Sequence, residues 1–85
     1  MNAIEKFEHI GYMEWGMVQD SIIRFNNVHT NETIYICLLD YTVYKNRWYQ
    51  GVTVSDSMIR IEFTFDEIIA VHMFISEWLK EIESK

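Results

Sequence analysis

Towards the C-terminus, Ile68, Val71, Ile75, Trp78, Leu79 and Ile82 recur at three- and four-residue steps. They share one stripe of a helix turning about 100° per residue. Thr64 and Glu67 precede the run at capping-box spacing, in which the hydroxyl accepts from the amide three residues on and the carboxylate accepts from the cap's own amide. Asp66 and Glu67 add negative charge where the helix dipole favours it. Together these predict a helix over Phe65–Glu83 with the stripe facing the core. Its first half is apolar beyond that stripe, because Ile69, Met73 and Phe74 lie on other sides. In the second half Glu77, Lys80 and Glu81 face away from it.

Upstream, Asn2 with Glu5 offers a second capping-box-like start, and Ile4, Phe7 and Ile10 then predict a helix of about two turns. Gly11 and Gly16 mark residues 11–16 as a turn or an irregular strand. From Val18 the texture becomes β. Residues 21–28 predict a strand and 29–32 a reversal. Residues 33–44 are apolar on both parities, as in a central strand covered on both faces. Lys45, Asn46 and Arg47 predict the next reversal and residues 48–54 a third strand, with Gly51 at a bulge. In residues 58–65, Ile59, Ile61, Phe63 and Phe65 alternate inward against Arg60, Glu62 and Thr64. The predicted fold is α+β: a four-stranded antiparallel meander with a long C-terminal helix on one face, and a short N-terminal helix covering part of the other.

Composition narrows the function classes. Eighty-five residues make a single domain, and 49% hydrophobic content with 15% aromatic excludes a disordered chain. Thirteen acids against seven bases give a net charge of −6, which opposes nucleic acid and anionic membrane and favours a partner with a basic or mixed surface. The single cysteine, Cys37, forms no internal disulfide. Glu5, Lys6 and Glu8 are out of place in a secretory signal, and no apolar run is long enough to span a bilayer. The expectation is a soluble, cytoplasmic protein. Heavy use of Ile, Asn, Tyr, Glu and Lys with no Pro resembles AT-rich genomes, including those of low-GC bacteria and phages.

The residues that carry chemistry form no catalytic or metal-binding pattern, and no cofactor is expected. His9, His29 and His72 are not at ligand spacing. Cys37 sits among apolar neighbours, where a thiol behaves as a small hydrophobe. Asp40 interrupts the 33–44 strand, either in water or as a partly buried acid whose pKa is raised; with Glu62 or His72 it is the residue a small enzyme would use. At the predicted hairpin tip, Lys45, Arg47, Trp48 and Tyr49 combine bases with aromatics, types that dominate protein–protein hot spots. Single-stranded nucleic acid suits such a cluster too, but the net charge opposes it. Ile69, Met73 and Phe74 form the second expected contact surface. Asp66, Glu77 and Glu81 on the solvent side of the helix suggest a phosphate-like acidic row, the device of DNA-mimicking inhibitors. The expectation is a protein-binding module, an inhibitor or regulator occluding a partner's site, phage-encoded or otherwise accessory. The alternatives are a homodimer paired through the long helix, a DNA mimic, and last a small enzyme.

Overall fold

The computed structural model describes residues 1–19, 21–49, 52–54 and 62–84. It opens with α1 (Ala3–His9), where Asn2 Oδ1 accepts from the Glu5 amide at 2.8 Å and the Glu5 carboxylate accepts from the Asn2 amide at 3.2 Å. Five strands follow: β1 (Met13–Gln19), β2 (Ile22–Asn27), β3 (Glu32–Cys37), β4 (Val43–Tyr49) and the short β5 (Val52–Val54). They pair in chain order as an antiparallel meander. The last described element is α2 (Phe65–Glu83), capped at Thr64 as its sequence predicts: Thr64 Oγ accepts from the Glu67 amide at 3.1 Å, and Glu67 Oε1 from the Thr64 amide at 2.8 Å. The α+β meander with a short first helix and a long last one is therefore the fold of the chain.

Both helices lie on the same face of the sheet, so the expectation that the N-terminal helix covers the opposite face is corrected. Phe7 of α1 stacks on Phe25 of β2 with ring centroids 3.9 Å apart, and Phe74 of α2 meets the same Phe25 edge-on at 5.5 Å. One phenylalanine thus carries both helices. Register places Ile23 and Phe25 opposite Ile36 and Ile34 on this face, and these close the core with Tyr12, Ala70 and Val71. The helices are also tied to each other: the Ala3 amide donates to Glu77 Oε2 at 2.8 Å, and Lys6 pairs with Asp66 at 3.2 Å.

The other sheet face is covered by no described element. Arg24 lies over the Trp15 ring at 5.4 Å, and Tyr35 stacks on Tyr44 at 4.7 Å. On this face of β3, Thr33 is 1% exposed and Tyr35 and Cys37 are half-buried. The strand expected over residues 33–44 is not continuous. The chain reverses through residues 38–42, where Tyr41 takes a left-handed φ of 58° and Asp40 Oδ1 accepts from the Thr42 amide at 3.0 Å. The predicted reversal at Lys45–Arg47 is therefore wrong: those residues are mid-β4, paired with Ile34, Thr33 and Glu32. The irregular strand expected near residues 11–16 is β1, whose register shifts between Glu14 and Gly16 as in a bulge. Of the strand expected over 58–65, positions 58–61 lie outside the described residues, as does Gly51. Phe63 packs on the core, while Phe65 starts α2 and is 77% exposed.

The rotation of α2 also differs from its hydrophobic stripe. Glu67, Ala70 and Val71 are buried and Phe74 packs against the core, whereas Ile68, Leu79 and Ile82 are 53%, 40% and 48% exposed. A charged residue is turned inward in place of an isoleucine one position away.

Candidate functional site

Glu67 explains that rotation. As the third residue of α2 its amide is fixed by the cap, which aims the side chain down at the sheet. There Oε1 receives Lys45 Nζ at 2.7 Å and Oε2 accepts from the Tyr12 hydroxyl. Lys45 stands mid-β4 on the helix side and also reaches Glu32 Oε2 at 3.1 Å and the Glu62 carbonyl at 2.9 Å. Arg47, next on the same side of β4, donates to Glu32 Oε2 at 2.9 Å. The side chains of Lys45, Glu67 and Glu32 are only 3%, 5% and 8% exposed. Two carboxylates and two cations balance, which makes burial tolerable because each charge has an opposite neighbour and hydrogen bonds.

The local chemistry follows from this geometry. Burial first, then the hydrogen bond to Glu67 and that carboxylate's charge, push the Tyr12 hydroxyl far above its ordinary value, so it stays a donor. Burial pushes the Glu32 carboxyl up, but hydrogen bonds from Arg47 and Lys45 outweigh it and hold the group below the usual carboxylate range. Lys45 has three hydrogens and three acceptors at hydrogen-bond range, in Glu32, Glu67 and the Glu62 carbonyl. The arrangement acts as a clamp between sheet and helix.

The predicted site residues separate accordingly. Lys45 and Arg47 are engaged in the clamp, Lys45 wholly inside the protein, so neither is at a hairpin tip. Trp48 and Tyr49 belong to β4, and their side chains lie outside the described parts of the structure. Phe74 is a core-packing residue, while Ile69 and Met73 are half-buried. Asp66 and Glu77 are exposed but tied to α1, and only Glu81 of the acidic trio extends beyond those contacts. Asp40 is exposed in its turn, and hydrogen bonds from Thr42 hold it below its ordinary range, opposite to the raised value weighed from sequence. His72 is exposed, and among the described residues no three His, Cys, Asp or Glu side chains gather as metal ligands.

Sequence reasoning missed Tyr12 and Glu32, and it found Glu67 only as a cap. The capping box was the available signal; no local pattern marks the other members of the clamp, Tyr12, Glu32 and Lys45, which lie 55, 35 and 22 positions from Glu67.

What α2 leaves uncovered is its outer flank. Phe65, Ile68, Leu79 and Ile82 are exposed along it, with half-buried Ile75 between them. At its N-terminal end the flank borders an apolar hollow of about 150 Å³ lined by Val43, Phe63, Ile68 and Val71. No described helix is long and apolar enough to cross a membrane. Comparison of the chain with protein-family models, with curated proteins and with solved structures finds no match.

Proposed function

We propose that the protein works by binding another protein, as an inhibitor or regulator that covers a site on its partner, and has no catalysis of its own. The observation that carries this reading is the outer flank of α2, where a large aromatic and three aliphatic side chains stand exposed beside an apolar hollow. Exposed apolar surface of this kind suits a protein contact. The best-placed titratable groups are instead engaged with one another in the clamp. The DNA-mimic reading gains nothing from the geometry, since two of its three acids are engaged with α1.

A second reading is favoured by one observation. Ile68, Ile75 and Ile82 are spaced by seven, the repeat that keeps a seam of one helix against another, and a second copy of the chain supplies such a helix.

Light scattering over a range of concentrations, followed by cross-linked capture from cells of the source organism, tests both. A mass near twice the chain's 10.3 kDa that returns to monomer in Leu79→Glu/Ile82→Glu assigns the flank to self-association. A monomer whose cross-links run from the flank to one stoichiometric partner, and vanish in the same variant, supports the inhibitor reading. A monomer with no such partner overturns both.

A further inference from the structure

The opposite flank of α2, facing α1 and β1, borders a groove of about 320 Å³. Its apolar lining is Ile4, Ile23, Phe74 and Trp78, and the same wall carries the carboxylates Glu14, Glu77 and Glu81. Among the described residues no basic side chain lines it. Glu77 Oε2 accepts from the Ala3 amide, and Oε1 has no donor among the described residues.

We infer that this groove receives an arginine or lysine side chain from the partner protein proposed above. The inference rests on that reading and adds the partner's chemistry. Each part of such a side chain has a counterpart. The aliphatic stem suits the Ile4, Phe74 and Trp78 surface, as long basic side chains pack their methylenes on apolar groups. The cationic head meets carboxylates on two elements, Glu14 of β1 and Glu77 and Glu81 on successive turns of α2. A phosphate ligand is disfavoured because the same carboxylates repel it, and a purely apolar segment leaves them to be desolvated unpaired. The net charge of −6 steers a basic segment towards the protein before contact.

The test uses the full chain as bait for a displayed library of random twelve-residue peptides, and follows a selected synthetic peptide by NMR through the indole signals of Trp15, Trp48 and Trp78. The expected result is enrichment of peptides sharing an Arg or Lys, with the Trp78 indole N–H moving on binding. Replacing that Arg by citrulline, or the chain's exposed Glu14 and Glu81 by Gln, weakens binding about tenfold or more while the thermal midpoint holds. Enriched peptides without a base, or ones that perturb the outer flank of α2 instead, overturn the groove assignment and leave the protein-binding reading standing. No enrichment also overturns the groove assignment, and the cross-linking experiment above then judges the broader reading alone. A dimer that dissociates in Glu14→Gln/Glu81→Gln makes a second copy the occupant and equally overturns it.

Discussion

Lys45 Nζ lies 2.7 Å from Glu67 Oε1, joining the middle of β4 to the first turn of α2, and this contact sets which face of the helix meets the sheet. Turning α2 by one residue to bury Ile68 gains about 1.5–3 kcal/mol of apolar burial. It also removes Glu67 from Lys45 and Tyr12, and breaking one side of a buried ion pair costs about 3–5 kcal/mol. The electrostatic term is the larger, so the isoleucine stays outside.

Lys45→Met is therefore expected to lower stability by about 3–5 kcal/mol in urea unfolding, because it leaves Glu67 without its cation and Glu32 with Arg47 alone. Thr64→Ala, which removes only the cap hydroxyl, is expected to cost about 1 kcal/mol. Equal midpoints for the two variants would show that the clamp contributes no more than the cap.

The clamp predicts a loss of stability at both ends of the pH range. Glu32 binds its proton more weakly folded than unfolded, so its contribution is complete above the unfolded value of about 4.3 and disappears as pH falls through the lower folded value. Tyr12 holds its proton more tightly folded, so its contribution is complete below about pH 10 and declines as pH rises beyond it. Urea midpoints measured against pH should fall below about pH 4 and above about pH 10. Tyr12→Phe should flatten the alkaline limb, and an unchanged limb would place the responsible group elsewhere.

Two glycines with left-handed backbone should respond differently to alanine. At Gly11, with φ 100°, a Cβ would lie 2.9 Å from Asn27 Nδ2, and Asn27 is held by bonds to the Ile10 carbonyl and to the His29 and Thr30 amides. At Gly16, with φ 90° in the β1 bulge, a Cβ meets nothing within 4 Å. Gly16→Ala should cost about 1 kcal/mol of backbone strain and Gly11→Ala about 2–3 kcal/mol, read as thermal midpoints.

Phe74 and Leu79 separate core from surface on the same helix. Phe74→Ala should cost about 3–5 kcal/mol, since it leaves a cavity against Phe25. Leu79→Ala should stay within about 0.5 kcal/mol. A large loss at Leu79 would mean that the outer flank is covered in the isolated protein.

Both helix starts were legible because a capping box is built from residues three apart, and α2 takes the bounds its sequence gives. What misled was polarity answered from far away. Lys45 and Arg47 read as a turn because nothing nearby neutralises them, yet Glu32 and Glu67 do so across the sheet and from the helix. The hydrophobic stripe placed Ile68, Leu79 and Ile82 inward because periodicity counts a carboxylate as an outside residue, and Glu67 is not one. The candidate surfaces followed from that rotation: once it changed, Phe74 passed from expected docking residue to core, and Ile68, Leu79 and Ile82, assigned to the core with Val71 and Ile75, became the exposed flank.

The bond from the Ala3 amide to Glu77 has a kinetic side, for its ends are 74 positions apart. Phe25, stacked against Phe7, acquires its second ring neighbour only when residue 74 has arrived. During synthesis α1 and the meander are therefore complete before α2, the rest of the layer that shelters the sheet. Contacts this distant in sequence must first overcome the entropy of closing nearly the whole chain, which sets folding slower than in helical proteins of equal length. A half-made chain presents its apolar sheet face to the cell for as long as α2 is still inside the ribosome.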